Sequence, residues 1–165
     1  MIDWIRKVSA ILPEEYKNIL LFNTFTGLRP DEARKAIWLT KTRENDYVDK
    51  ERSILKHYQF PETFLRQTKN AYVSIIIDQF IEFANGTPNK ENYMADLRKQ
   101  IIKKGYTMNL YNFRKVFATY LRNKGLEPEI IDLLQGRIGS SVKHLKEKNI
   151  IKFQNITNVL IFFAK

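Results

Sequence analysis

From Asn89 the chain reads NKENYMADLRKQIIKK to Lys104 and then Gly105, NLYNFRKVFATYLRNK from Asn109 to Lys124 and then Gly125, and PEIIDLLQ from Pro128 to Gln135 and then Gly136. Each run carries apolar residues at three- and four-residue intervals and stops on glycine, the expected left-handed residue after a helix, so three successive helices are predicted. In the middle one the stripe Phe113, Phe117, Tyr120 and Leu121 forms a core face. Working outward, EEYKNILLFNTFT (14–26) places Tyr16, Ile19, Leu20 and Asn23 at helical spacing after Pro13. Gly27 ends that helix, and Pro30 with Asp31 and Glu32 opens the next, PDEARKAIWL. DYVDKERSILK (46–56) and AYVSIII (71–77) are β-rich, with turn formers around Thr68–Asn70. The fold class expected is therefore mainly α with a small antiparallel β-sheet or hairpin.

Length and composition bound the rest. A chain of 165 residues, 44% hydrophobic and 13% aromatic, has material for one cored domain over 1–165. It has no cysteine, which removes disulfide scaffolds, zinc fingers and thiol catalysis. With His57 and His144 as its two histidines, a histidine-built metal site is not expected, and neither a metal nor another cofactor is called for. His57 reads as a loop residue. No apolar run is long enough to span a bilayer, and the first residues show no cleavage signature, so a cytoplasmic protein without a membrane partner is expected.

The formal charge is +10, and residues 86–124 hold nine basic side chains against Glu91 and Asp96. A basic surplus concentrated in this way points to a polyanion, with nucleic acid first among the candidates. Lys99, Lys103, Lys104 and Lys115 of this stretch are the candidate contacts; the alternative is a solvated basic face.

Three short motifs carry the candidate chemistry. Thr26-Gly27-Leu28-Arg29-Pro30-Asp31-Glu32-Ala33 puts an arginine on a turn that feeds a helix N-terminus, with Glu32 placed to orient the guanidinium. Tyr111-Asn112-Phe113-Arg114 puts a second arginine at the start of an amphipathic helix, and Leu133-Leu134-Gln135-Gly136-Arg137 follows about twenty residues later. In order and spacing, over about residues 14–144, these boxes resemble the catalytic domain of tyrosine recombinases of the phage-integrase family. The likeness is closest to integrases of spindle-shaped archaeal viruses and related mobile elements.

That resemblance implies DNA integration and recombination by phosphoryl transfer, without metal, on double-stranded DNA in the host cytoplasm. Arg29 and Arg114 match the two arginines that stabilise the phosphate transition state, and Arg137 matches a third phosphate donor. Lys69, in Arg66-Gln67-Thr68-Lys69-Asn70, matches the hairpin lysine that protonates the leaving oxygen. Two positions depart from the pattern. Tyr111 stands where the family has His or Lys, and a packing or hydrogen-bonding role near the phosphate is its reading. The family's nucleophilic tyrosine has no counterpart, because no tyrosine follows Tyr120 and His144 is followed by Leu145. His144 either orients a phosphate or caps a helix. Residues 145–165 are an atypical C-terminal segment, either core or a surface for a neighbouring copy in a homo-oligomer on DNA. Three readings stay open: a strand-transfer enzyme whose nucleophile comes from elsewhere, a DNA-binding remnant that cannot cleave, and a basic helical adaptor.

Overall fold

Gly27 decides where the first long helix stops. Its φ of 63° ends α2 (Glu14–Thr26) in a left-handed cap, and Pro30 then begins α3 (Pro30–Thr42) with a φ suited to a first turn. The computed structural model describes residues 2–65, 70–88, 92–107 and 112–137. Before α2 lies α1 (Ile2–Ile11), which buries Ile5 and Val8 one turn apart. After α3 come a short turn of helix, α4 (Glu44–Tyr47), and the strands β1 (Val48–Asp49) and β2 (Ile54–Leu55). A 3₁₀ turn (His57–Gln59) and α5 (Pro61–Phe64) precede β3 (Ser74–Ile75). Then follow α6 (Asp78–Asn85), α7 (Tyr93–Lys103), α8 (Asn112–Asn123) and α9 (Pro128–Leu134). The described residues are thus mainly helical.

The three strands form one antiparallel sheet in the order β1-β2-β3, with Val48 opposite Leu55 and Ile54 opposite Ile75. Strands this short are marginal alone and hold because Leu55 and Ile75 are buried under the helices. The sheet has the antiparallel form that composition suggested, with one correction. Glu44–Tyr47 is helical, so the β-rich reading of 46–56 begins two residues too early. Arg43 holds Asp46 at 2.9 Å across that turn. Neither α1 nor α6 was marked by a sequence signal.

Helix α2 is the hub, packing against α1, α6, α7 and α8. Its buried set covers most of its circumference, from Tyr16 through Ile19, Leu20 and Phe22 to Phe25. The ring of Phe25 stacks on Phe80 at 5.5 Å, which locks α6 against α2. On α8, Phe113, Phe117 and Leu121 are buried as the stripe predicted, with Tyr120 packed at its edge.

His57 is a second correction, being fully buried rather than a loop residue. Its Nδ1 hydrogen-bonds with Tyr47 Oη at 2.6 Å and its Nε2 with Ser74 Oγ at 2.8 Å, while its ring stacks on Phe64 at 4.1 Å. A neutral imidazole satisfies both partners, one nitrogen accepting and the other donating. Burial pushes its pKa down from 6.5 to about 3. Between those values the unfolded chain binds a proton that the folded chain does not, so stability is lost as pH falls below the unfolded value. Moving from about pH 7.5 to about pH 5 is expected to cost about 2 kcal/mol from this residue alone. Urea unfolding at the two pH values checks this, and His57→Gln should flatten the difference.

Candidate functional site

The turn at Gly27 and the start of α8 meet because one position has no side chain. A Cβ on Gly27 would lie 2.4 Å from Cδ1 of Phe117, so the α2–α3 turn sits directly on the α8 ring face. Leu28 is fully buried in the same seam. This contact brings Arg29, at the N-terminal cap of α3, beside Arg114, in the first turn of α8.

Glu32 lies between them and is almost wholly buried. Its Oε2 accepts the backbone N–H of Arg29 at 3.0 Å, satisfying one of the free donors at the start of α3. Its Oε1 accepts from Nη1 of the Arg29 guanidinium. Its Oε2 also faces Nη1 of Arg114 at 3.7 Å, an ion pair longer than a hydrogen bond. One buried carboxylate therefore holds two guanidiniums.

Arg114 is fixed from its other side by α9. Its Nη2 donates to the backbone carbonyl of Gln135 at 2.7 Å, and Nε2 of Gln135 donates back to the carbonyl of Arg114 at 2.6 Å. The guanidinium is buried, and its Nη1 has no hydrogen-bond acceptor among the described residues. Burial, and then the positive field of Arg29, pull the Arg114 pKa down to about 10, with Glu32 acting in the opposite direction and Arg137 lowering it further. Arg114 stays charged at neutral pH. A buried, charged N–H without an acceptor is costly, and an anionic oxygen removes the cost.

Comparison with protein-family models, with curated protein sequences and with solved structures finds no match. The site is therefore read from its own geometry.

Arg137 follows Gly136 at the end of α9, is exposed, and faces Asp132 at 3.4 Å. Its charge is felt weakly at Arg114, after those of Arg29 and Glu32. Gly136 sets that position: a Cβ there would lie 2.6 Å from the backbone nitrogen of Ala71. The backbone of Asn70–Ala71, immediately after Lys69 in the chain, is thereby packed against the arginine-bearing end of α9. Lys69, Tyr111 and His144 lie outside the described residues, as does the segment 145–165. Lys99, Lys103, Lys104 and Lys115 are all exposed, Lys99 facing Asp96 at 3.6 Å.

Sequence reasoning missed Gln135 as a functional residue. It is fully buried, and only its place between Leu134 and Gly136 hinted at a special role. Among the described residues no His/Asp/Glu group could hold a metal ion, and no helix is long and apolar enough to cross a membrane.

Proposed function

We propose that this chain is a tyrosine-recombinase-like catalytic domain that binds duplex DNA at a backbone phosphate and lacks its own nucleophile. The observation that supports it most is the buried Arg114 guanidinium, which shares Glu32 with Arg29, is clasped by Gln135, and has an Nη1 with no hydrogen-bond acceptor among the described residues. Donors of this kind stabilise the non-bridging oxygens of a phosphodiester, and burial strengthens the one that Arg114 offers.

In the reaction this implies, a phenol oxygen attacks phosphorus and the bond to the 5′-oxygen breaks. The departing oxygen takes a proton, the role the resemblance gives to Lys69. The arginines stabilise charge on the remaining oxygens throughout. A tyrosine from a second polypeptide would start the sequence. Incubated with a duplex nicked near the scissile phosphate, the 165-residue chain alone should leave no covalent band on a denaturing gel. A band that disappears in Tyr111→Phe would assign the nucleophile to that residue instead.

Duplex binding is the direct test. Arg137→Ala, at an exposed position, should weaken affinity about 10-fold or more, the range for a hydrogen bond to a charged group. It should also reduce the salt slope by about one. Lys103→Glu with Lys104→Glu should weaken binding uniformly across sequences, since phosphate contacts position a protein without specifying a site. Anisotropy titrations at several salt concentrations read both. Affinity indifferent to salt and to Arg137 would favour the adaptor reading.

A further inference from the structure

Helix α3 has an exposed face beyond its N-terminal arginine, centred on Trp38. Ala33, Ala36, Ile37 and Thr40 point inward and are buried, whereas Trp38 is 59% exposed. Arg34 lies one turn before Trp38 and Lys41 about one turn after, with Lys35 beside them. These side chains line a groove of about 760 Å³, closed on its other side by Phe60 and Tyr93. Arg43 stands over the Phe60 ring at 6.0 Å from its centroid. Glu62 is the acidic side chain in the lining, so cations dominate it.

Two details point to a ligand. Tyr93 is 4% exposed, and its phenol oxygen has no hydrogen-bond partner among the described residues. Arg34 and Lys35 make no ion pair with any described residue, and Lys41 uses one of its three donors on the carbonyl of Thr87 at 2.7 Å. The groove thus offers a flat exposed indole with cations about one helical turn to either side of it.

We propose that this groove binds a single strand of nucleic acid, with one base stacked on Trp38 and its flanking phosphates on Arg34, Lys35 and Lys41. Alternation of cation, aromatic and cation along one line is how sequence-tolerant single-strand sites combine backbone attraction with stacking. A duplex keeps its base faces covered and cannot use the indole in this way. An acidic peptide would satisfy the cations but leave the indole without a planar partner. The proposal stands apart from the duplex reading, because the arginine site lies at the N-terminal end of α3, about two and a half turns from Trp38.

The test is an anisotropy titration of the full chain against a dye-labelled oligothymidylate of about 16 nucleotides, which reads every variant, with tryptophan emission followed in the chains that keep Trp38. Saturable quenching of tryptophan emission is expected. Trp38→Ala should weaken binding about 10- to 100-fold with an unchanged melting temperature, while Trp38→Phe keeps most of the affinity, as stacking energies predict. Arg34→Glu with Lys35→Glu should weaken it similarly and flatten its salt dependence. Binding that is unchanged in Trp38→Ala, or the absence of saturable quenching, would overturn the proposal. So would tighter binding of polyglutamate than of the oligonucleotide, which would assign the groove to an acidic protein. Arg137→Ala separates the two sites: single-strand quenching should survive it whether or not duplex affinity is lost.

Discussion

Glu32→Gln is expected to destabilise the fold by about 3–5 kcal/mol, the cost of leaving buried charges without their partner. The substitution keeps shape and one acceptor but leaves the guanidiniums of Arg29 and Arg114 facing each other across a neutral amide. Both are largely screened from water, with side chains 16% and 9% exposed. Against a typical total of about 5–15 kcal/mol, the loss would put much of the population near unfolding at moderate temperature. Urea denaturation gives the magnitude. Sulfate adds a sharper measurement, since an anion seated between the arginines would replace the missing carboxylate. The variant's melting temperature should therefore rise more with sulfate than that of the parent, which reports the general salting effect. Equal rises in the two proteins would mean that the arginines do not share an anion.

Gly136→Ala should cost about 3 kcal/mol, combining a left-handed φ with overpacking. The φ is 62°, and the new methyl would meet main-chain atoms of Asn70 and Ala71, which cannot swing aside as a side-chain tip could. The relief available is for α9 to move away from that backbone, carrying Gln135 off Arg114 and shifting Arg137. Duplex affinity should fall by more than the loss of folded protein explains. A thermal melt and a binding titration on the same sample separate the two effects. A stable variant with parental affinity would show that the end of α9 has no part in the site.

What could be read from the sequence follows from what is local. Gly27, Pro30 and Glu32 act within one turn of chain, so the end of α2, the start of α3 and the Arg29–Glu32 contact were all legible. The stripe of α8 was legible because three turns repeat the same spacing. Helix α6 was not, since eight residues give Phe80 and Ala84 one repeat only. His57 sits between Lys56 and Tyr58 and looks like surface. Its burial is created by Tyr47 and Ser74, ten and seventeen residues away. Gln135 was invisible for the same reason: its partner, Arg114, is 21 residues upstream. Trp38 drew no reading from the sequence, and only the packing of α3 shows that it faces water.

The seam between Gly27 and Phe117 joins residues ninety positions apart. Contacts of that separation close a long loop before they return any stabilisation, and they tend to form late along a folding route. Helix formation within α8 is much faster, so Arg114 acquires its helix well before it acquires Glu32. In a fragment containing only α8 and α9, Arg114 would lack its carboxylate partner. The paired site therefore comes into being only when the α2–α3 turn has docked on α8.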